Sequence, residues 1–151
     1  MKNSIFLVLI MFLVNSCTST QSTLKNVDEH ALIPKLSAAN TFVLTDYSKD
    51  KKYGYNKDYP VNVFYKNVTS AKENQERFLN ALAGPKGEKI VYSKTGICCP
   101  FPNNKSEMGV VSLDVYTITW NGLKSPITLY LNSYGKGALL IPVGFTAKAI
   151  Q

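Results

Sequence analysis

The chemistry-bearing residues of this chain are its three cysteines, Cys17, Cys98 and Cys99, and two of them are adjacent. Adjacency limits what Cys98 and Cys99 can do. They can close a strained eight-membered disulfide ring that is easily reduced, making them a redox pair. They can share a soft metal such as Cu(I), with Met108 as a thioether near in sequence. They can also be small buried hydrophobes that hold a loop against a sheet. No Cys-x-x-Cys spacing and no neighbouring histidine selects among these, so Cys98, Cys99 and Met108 stand as weak metal candidates and Cys98 with Cys99 as a candidate redox pair.

Other chemistry is sparse. His30, the single histidine, lies in a polar segment, which leaves acid–base or nucleophilic mechanisms that need a histidine without a partner. Asp46, Asp50 and Asp58 lack the spacing and the glycine of a calcium loop. Gly84-Pro85-Lys86-Gly87 follows a helical stretch instead of opening one, and Gly135-Lys136-Gly137 lies between two strand-like stretches, so both are expected to be turns rather than phosphate loops. No cofactor is implied and no catalytic residue stands out. Tyr53, Tyr55 and Tyr59 cluster around Gly54; with an apolar ring face and a polar edge each, they form a candidate binding surface for sugar or peptide, or pack over a sheet edge.

The front of the chain bears on location. Ile5 to Val14 is an unbroken apolar run after Lys2, too short to span a membrane, which takes about 20 residues, and suited to an export signal core of about 7 to 15. It runs into Leu13-Val14-Asn15-Ser16-Cys17, which resembles the lipobox of bacterial lipoproteins. That resemblance implies cleavage before Cys17 and acylation of Cys17, and so a domain held on a membrane by its acyl chains. Asn15 stands where a smaller residue is usual. The expected organisation is a signal peptide over 1–16, a lipidated cysteine and flexible tether over 17–40, and one folded domain over 41–151.

Composition narrows the partners. The 151-residue chain carries a formal net charge of +7, yet Arg77 is its only arginine and its lysines are scattered. Bidentate recognition of phosphates or base edges favours arginine, and nucleic-acid grooves cluster their basic groups, so no nucleic-acid partner is expected. A membrane surface through the anchor, an envelope protein or a glycan fits better; oligomeric state is left open.

The elements that must position these residues are read from pattern and punctuation. Thr41–Thr45, Val61–Tyr65, Lys89–Lys94, Val110–Trp120, Ile127–Ser133 and Ala138–Val143 have strand character. Ser70-Ala71-Lys72-Glu73 fits a capping box, Glu73 and Arg77 pair at i,i+4, and the narrow stripe of Phe78, Leu79 and Leu82 with Ala71 and Gln75 predicts a helix that Gly84 and Pro85 terminate. Asn121-Gly122 marks a hairpin; a clean buried face is obtained by setting Leu113 against Leu131, Val115 against Leu129 and Thr117 against Ile127. The class expected is α+β, a mostly antiparallel sheet of five to six strands with one helix packed on a face.

Several longer stretches carry a family resemblance. Tyr53-Gly54-Tyr55-Asn56, Arg77 through Ile90, Cys98-Cys99-Pro100-Phe101, Leu113-Asp114-Val115-Tyr116 and Leu129-Tyr130-Leu131-Asn132 resemble a family of short flavobacterial-type lipoproteins with a Cys-Cys-Pro-Phe motif. The resemblance covers the chain from Met1 to about Phe145. Members are often named 2-dehydro-3-deoxyphosphooctonate aldolase, so the resemblance implies both an envelope lipoprotein, most naturally of the outer membrane, and an aldolase activity.

Overall fold

The computed structural model describes residues 23–65 and 71–149. The expected leader, Cys17 and the expected Ser70 cap lie outside the described residues. Among the described residues the fold is α+β: one helix and six strands, mostly antiparallel, divided between a four-stranded and a two-stranded sheet. In chain order these are β1 (Val61–Asn62), α1 (Ala71–Asn80), β2 (Leu82–Ala83), β3 (Val91–Pro102), β4 (Val110–Thr119), β5 (Ile127–Asn132) and β6 (Thr146–Ala147).

The larger sheet has the order β1-β5-β4-β3; β1 runs parallel to β5, and the other pairs are antiparallel. The β4–β5 register sets Tyr116 opposite Leu129 and Ile118 opposite Ile127. That is one residue beyond the register expected from sequence, and the physical reason is that β4 buries side chains on both faces. Tyr116 and Ile118 point into the main core with Leu129 and Leu131, whereas Val111 and Leu113 belong to a second cluster with Leu24 and Phe101. A search for one buried face therefore merged two.

Helix α1 packs Phe78 and Leu79, both fully buried, onto the main core. The expected Glu73–Arg77 ion pair is present at 2.7 Å. Arg77 is nearly inaccessible and also donates to Asn40 Oδ1 at 3.0 Å and Asn74 Oδ1 at 3.1 Å, so the single arginine is an internal anchor. The helix stops at Asn80, before Gly84, because β2 pairs with β6 and the Ala81 carbonyl accepts from the Lys148 amide. A tertiary partner thus outcompetes the last helical turn. Gly84 has no left-handed backbone; Gly87, with φ 85°, takes that role in the following turn, which the Gly87 amide closes on the Gly84 carbonyl.

Three expected segments fold differently. Around Thr41–Thr45 only Phe42 makes a bridge, to Leu36, and around Ala138–Val143 only Ile141 does, to Tyr47. Both segments are apolar for burial rather than for a ladder: Phe42, Leu44 and Ile141 are core residues. The described part of the supposed tether, residues 23–40, is docked. The Lys25 amide donates to the Asp58 carbonyl, the Asp28 amide to Lys136, and Leu24 closes the second cluster. The folded unit therefore starts by Leu24, not at residue 41.

Candidate functional site at the cysteine bulge

Strand β3 is an edge strand, paired with β4 on one side only. It runs twelve residues because the sequence Lys94-Thr95-Gly96 and Cys98-Cys99-Pro100 is absorbed as two register shifts, between Lys94 and Gly96 and between Cys98 and Phe101. Such bulges let a strand continue past residues that cannot join the ladder. At the second one Cys98 sits opposite Leu113, Phe101 opposite Val111, and Cys99 takes φ 61°, a left-handed conformation rare for a side chain of its type.

The two cysteines are joined as a disulfide between neighbours, with Cα atoms 3.7 Å apart. The bond closes the ring across the bulge, and the half-buried Cys99 packs on Leu24, Phe101, Val111 and Leu113. A cleft of about 340 Å³ opens beside it, lined by Thr23, Leu24, Lys57, Asp58, Cys99, Pro100 and Phe101. Lys57 and Asp58 pair across its rim at 3.0 Å and are half exposed. The arrangement can accept two electrons at the disulfide, after attack by an incoming thiolate on a partly accessible sulfur.

As a disulfide the pair presents no thiolate to a metal. Met108 is 87% exposed in the loop between β3 and β4, and the Phe101–Val111 and Pro102–Val110 rungs separate it from the Cys98–Leu113 rung. Among the described residues no group of three or more His, Cys, Asp or Glu side chains is placed to hold an ion.

The tyrosine candidates are dispersed. Tyr53 is buried; its hydroxyl donates to the Ala138 carbonyl at 3.2 Å and accepts from the Leu140 amide at 3.1 Å, and burial raises its pKa well above the usual phenol value. Tyr55 donates to the Val143 carbonyl, with burial pushing its hydroxyl up to about 12. Tyr59 is half-buried, with Lys52 Nζ 6.0 Å from its ring centre. Tyr53 and Tyr55 thus tie the 138–143 segment to the Gly54 loop. They make a clamp, with their rings packed and their hydroxyls spent on main-chain groups.

Two polar clusters escaped sequence reasoning. Gln75, on the buried stripe of α1, donates to Asp114 and Ser133 and accepts from the Tyr116 hydroxyl at 2.6 Å; Lys94 pairs with Asp114 at 2.6 Å. Burial, then Asp114 and Glu76, push Tyr116 up to about 12. A glutamine within an apolar helical stripe was the available signal. The second cluster is an asparagine ladder in which Asn132 donates to Asn62 and Asn62 to the Asn26 carbonyl. Gly137 is needed there, since a Cβ would stand 2.7 Å from the Asn26 carbonyl oxygen.

Comparison of the chain with protein-family models, curated proteins and solved structures gives no match in any of the three. Among the described residues no helix is long and apolar enough to cross a membrane.

Proposed function

We propose that the protein is a membrane-anchored envelope lipoprotein whose folded domain is a non-enzymatic binding or structural module. The observation that carries this reading is the apolar run Ile5–Val14 leading directly into Leu13-Val14-Asn15-Ser16-Cys17. Two features of the domain support it. The fold begins by Leu24, leaving a span of seven residues from Cys17, which at about 3.5 Å per residue reaches no more than about 25 Å. The Cys98–Cys99 disulfide also suits an oxidising compartment outside the cytoplasm. On this reading the acyl chains supply membrane attachment, most naturally to the outer membrane, and the domain faces the periplasm or cell surface and meets an envelope protein or glycan.

A second reading, a thiol-redox protein using Cys98 and Cys99, is favoured by the disulfide itself. Its Cu(I)-handling form requires reduction first. The aldolase activity that the family resemblance implies fits less well. The enzyme making that sugar phosphate folds as a TIM barrel of about 250 residues, whereas the described chain builds two small sheets.

Metabolic labelling with a fatty acid tests the main reading. Label on the wild-type chain that disappears in Cys17→Ala, together with recovery in the membrane fraction, is the expected result. An unlabelled wild type, or equal label on the variant, overturns it.

A further inference from the structure

The two sulfurs of the Cys98–Cys99 disulfide do not stand in equivalent places. Cys98 keeps its rung on the ladder opposite Leu113, whereas Cys99 falls in the register shift between Cys98 and Phe101 and takes φ 61°. Cys99 packs against the cluster of Leu24, Phe101, Val111 and Leu113, and it also forms part of the wall of the cleft of about 340 Å³, which Cys98 does not line. Thiol–disulfide exchange proceeds by attack of a thiolate on one sulfur, in line with the S–S bond, while the other sulfur leaves as thiolate. A thiolate that enters the cleft therefore meets Cys99, with Cys98 placed to leave.

The size and lining of the cleft define the kind of thiol it takes. Its volume of about 340 Å³ falls at the lower end of the range for small-molecule sites, about 300–1,000 Å³. Leu24, Pro100 and Phe101 make the wall apolar, and the rim is charged, with Lys57 and Asp58 paired at 3.0 Å and both half exposed. A small thiol that carries both an ammonium and a carboxylate matches the two regions at once. Its carbon skeleton rests on the apolar wall, its carboxylate accepts from the Lys57 ammonium, and its ammonium donates to the Asp58 carboxylate. The Lys57 cation also favours the thiolate form of a thiol held beside it. Cys99 is half-buried among Leu24 and Phe101, which favours a molecule small enough to enter over a cysteine carried on the surface of a folded protein.

We propose that this cleft binds a small thiol carrying an ammonium and a carboxylate, and that Cys99 is the sulfur it attacks. The inference rests on the thiol-redox reading and deepens it by naming the attacked atom and the class of thiol. The incoming thiolate forms a bond to Cys99 Sγ as the Cys98–Cys99 bond breaks, and Cys98 Sγ leaves with the electron pair and takes a proton from water. A second thiolate then attacks the sulfur of the bound thiol, which breaks the mixed disulfide and releases Cys99 as thiolate. Two thiols are thereby oxidised to one small-molecule disulfide, while the protein pair gains two electrons and two protons; in reverse, the reduced pair returns them.

The test follows the same exchange in its reverse direction on the full chain. The variants Cys98→Ser and Cys99→Ser, each verified as folded by circular dichroism and thermal unfolding, are exposed to oxidised glutathione, and formation of the mixed disulfide is timed by mass, with peptide mapping to set Cys17 aside. Modification of Cys98→Ser, which keeps Cys99, at least tenfold faster than of Cys99→Ser is the expected result. Equal rates, or a faster Cys99→Ser, overturn the proposal. A second measurement leaves the disulfide intact: Thr23→Trp, which narrows the cleft from its exposed edge, should slow reduction by glutathione at least fivefold in the folded chain and leave it unchanged in denaturant. An unchanged rate in the folded chain overturns the proposal, and so does reduction by thioredoxin where glutathione has no effect, in favour of a protein thiol. Alkylation of the wild type without reductant is read separately. Adducts on both Cys98 and Cys99 remove the redox reading itself, whereas a blocked pair with equal rates for the two variants removes the cleft alone.

Discussion

The two faces of the four-stranded sheet use the same strands to different ends. On the helix side Ile118, Leu129 and Leu131 are fully buried beneath α1 and the loops, and the polar groups that intrude, Gln75 and Asp114, are hydrogen-bonded. On the back side burial stops halfway: Leu113 is fully covered by the Leu24 segment, while Val91, six rungs along the same ladder, is mostly exposed. The difference assigns stability to the first face and half of the second, and leaves the rest exposed. The cysteine bulge lies on the covered side of that boundary, with Cys99 packed on Leu24 and Phe101.

Substitutions that probe each face separate them by size of effect. Leu129→Ala on the helix side removes a fully buried side chain, and chemical denaturation is expected to show a loss of about 2–5 kcal/mol. Arg77→Ala removes the hydrogen bonds to Asn40 and Asn74 and the ion pair to Glu73 at the other edge of that core. With Glu73 partly exposed, the expected loss is about 2 kcal/mol, read the same way. Leu24→Ala uncovers part of the back cluster at the start of the described chain, where collapse is easier, and about 1–2 kcal/mol is expected. A loss for Leu24→Ala as large as for Leu129→Ala would erase the distinction between the faces.

Alkaline pH acts on the buried tyrosines. Tyr55 and Tyr116 have their pKa pushed up from 10.0 to about 12, so the folded state holds these protons more tightly than the unfolded chain. Their contribution is fully present below pH 10 and is lost as pH rises through about 12, the folded value. Urea midpoints measured along that range should fall, and a flat profile would contradict the burial of these hydroxyls. The smallest effect is expected at the exposed half of the back side: Thr119→Ala should change stability by no more than about 0.5 kcal/mol.

The sequence was most legible where local chemistry and tertiary structure agree. Asn121-Gly122 does join two strands, with Gly122 at φ 90°, and the Glu73–Arg77 spacing does make an ion pair. Legibility failed where a distant partner decides. Nothing in Leu24 or Val27, isolated apolar residues in a polar stretch, announces that they cover a sheet. The length of β3 is hidden because Gly96 and Cys98-Cys99-Pro100 read as loop residues, whereas two bulges carry the ladder past them. Phe42 and Ile141 are apolar enough to look like strand residues, yet each makes a single bridge and is otherwise held by packing. Of the candidate site, the adjacency of Cys98 and Cys99 was visible at once; that they form a disulfide required the bulge, which only the register of β3 on β4 reveals.

An exported, acyl-anchored domain with an oxidised cysteine pair, as proposed above, has a distinctive mass. Intact mass is recorded for the chain purified from its own membranes after alkylation under denaturing conditions without reductant. A mature chain starting at Cys17, heavier by its acyl groups and carrying no alkyl adduct, is the result predicted. A chain that retains Met1 or takes up alkyl groups at Cys17, Cys98 and Cys99 would contradict it.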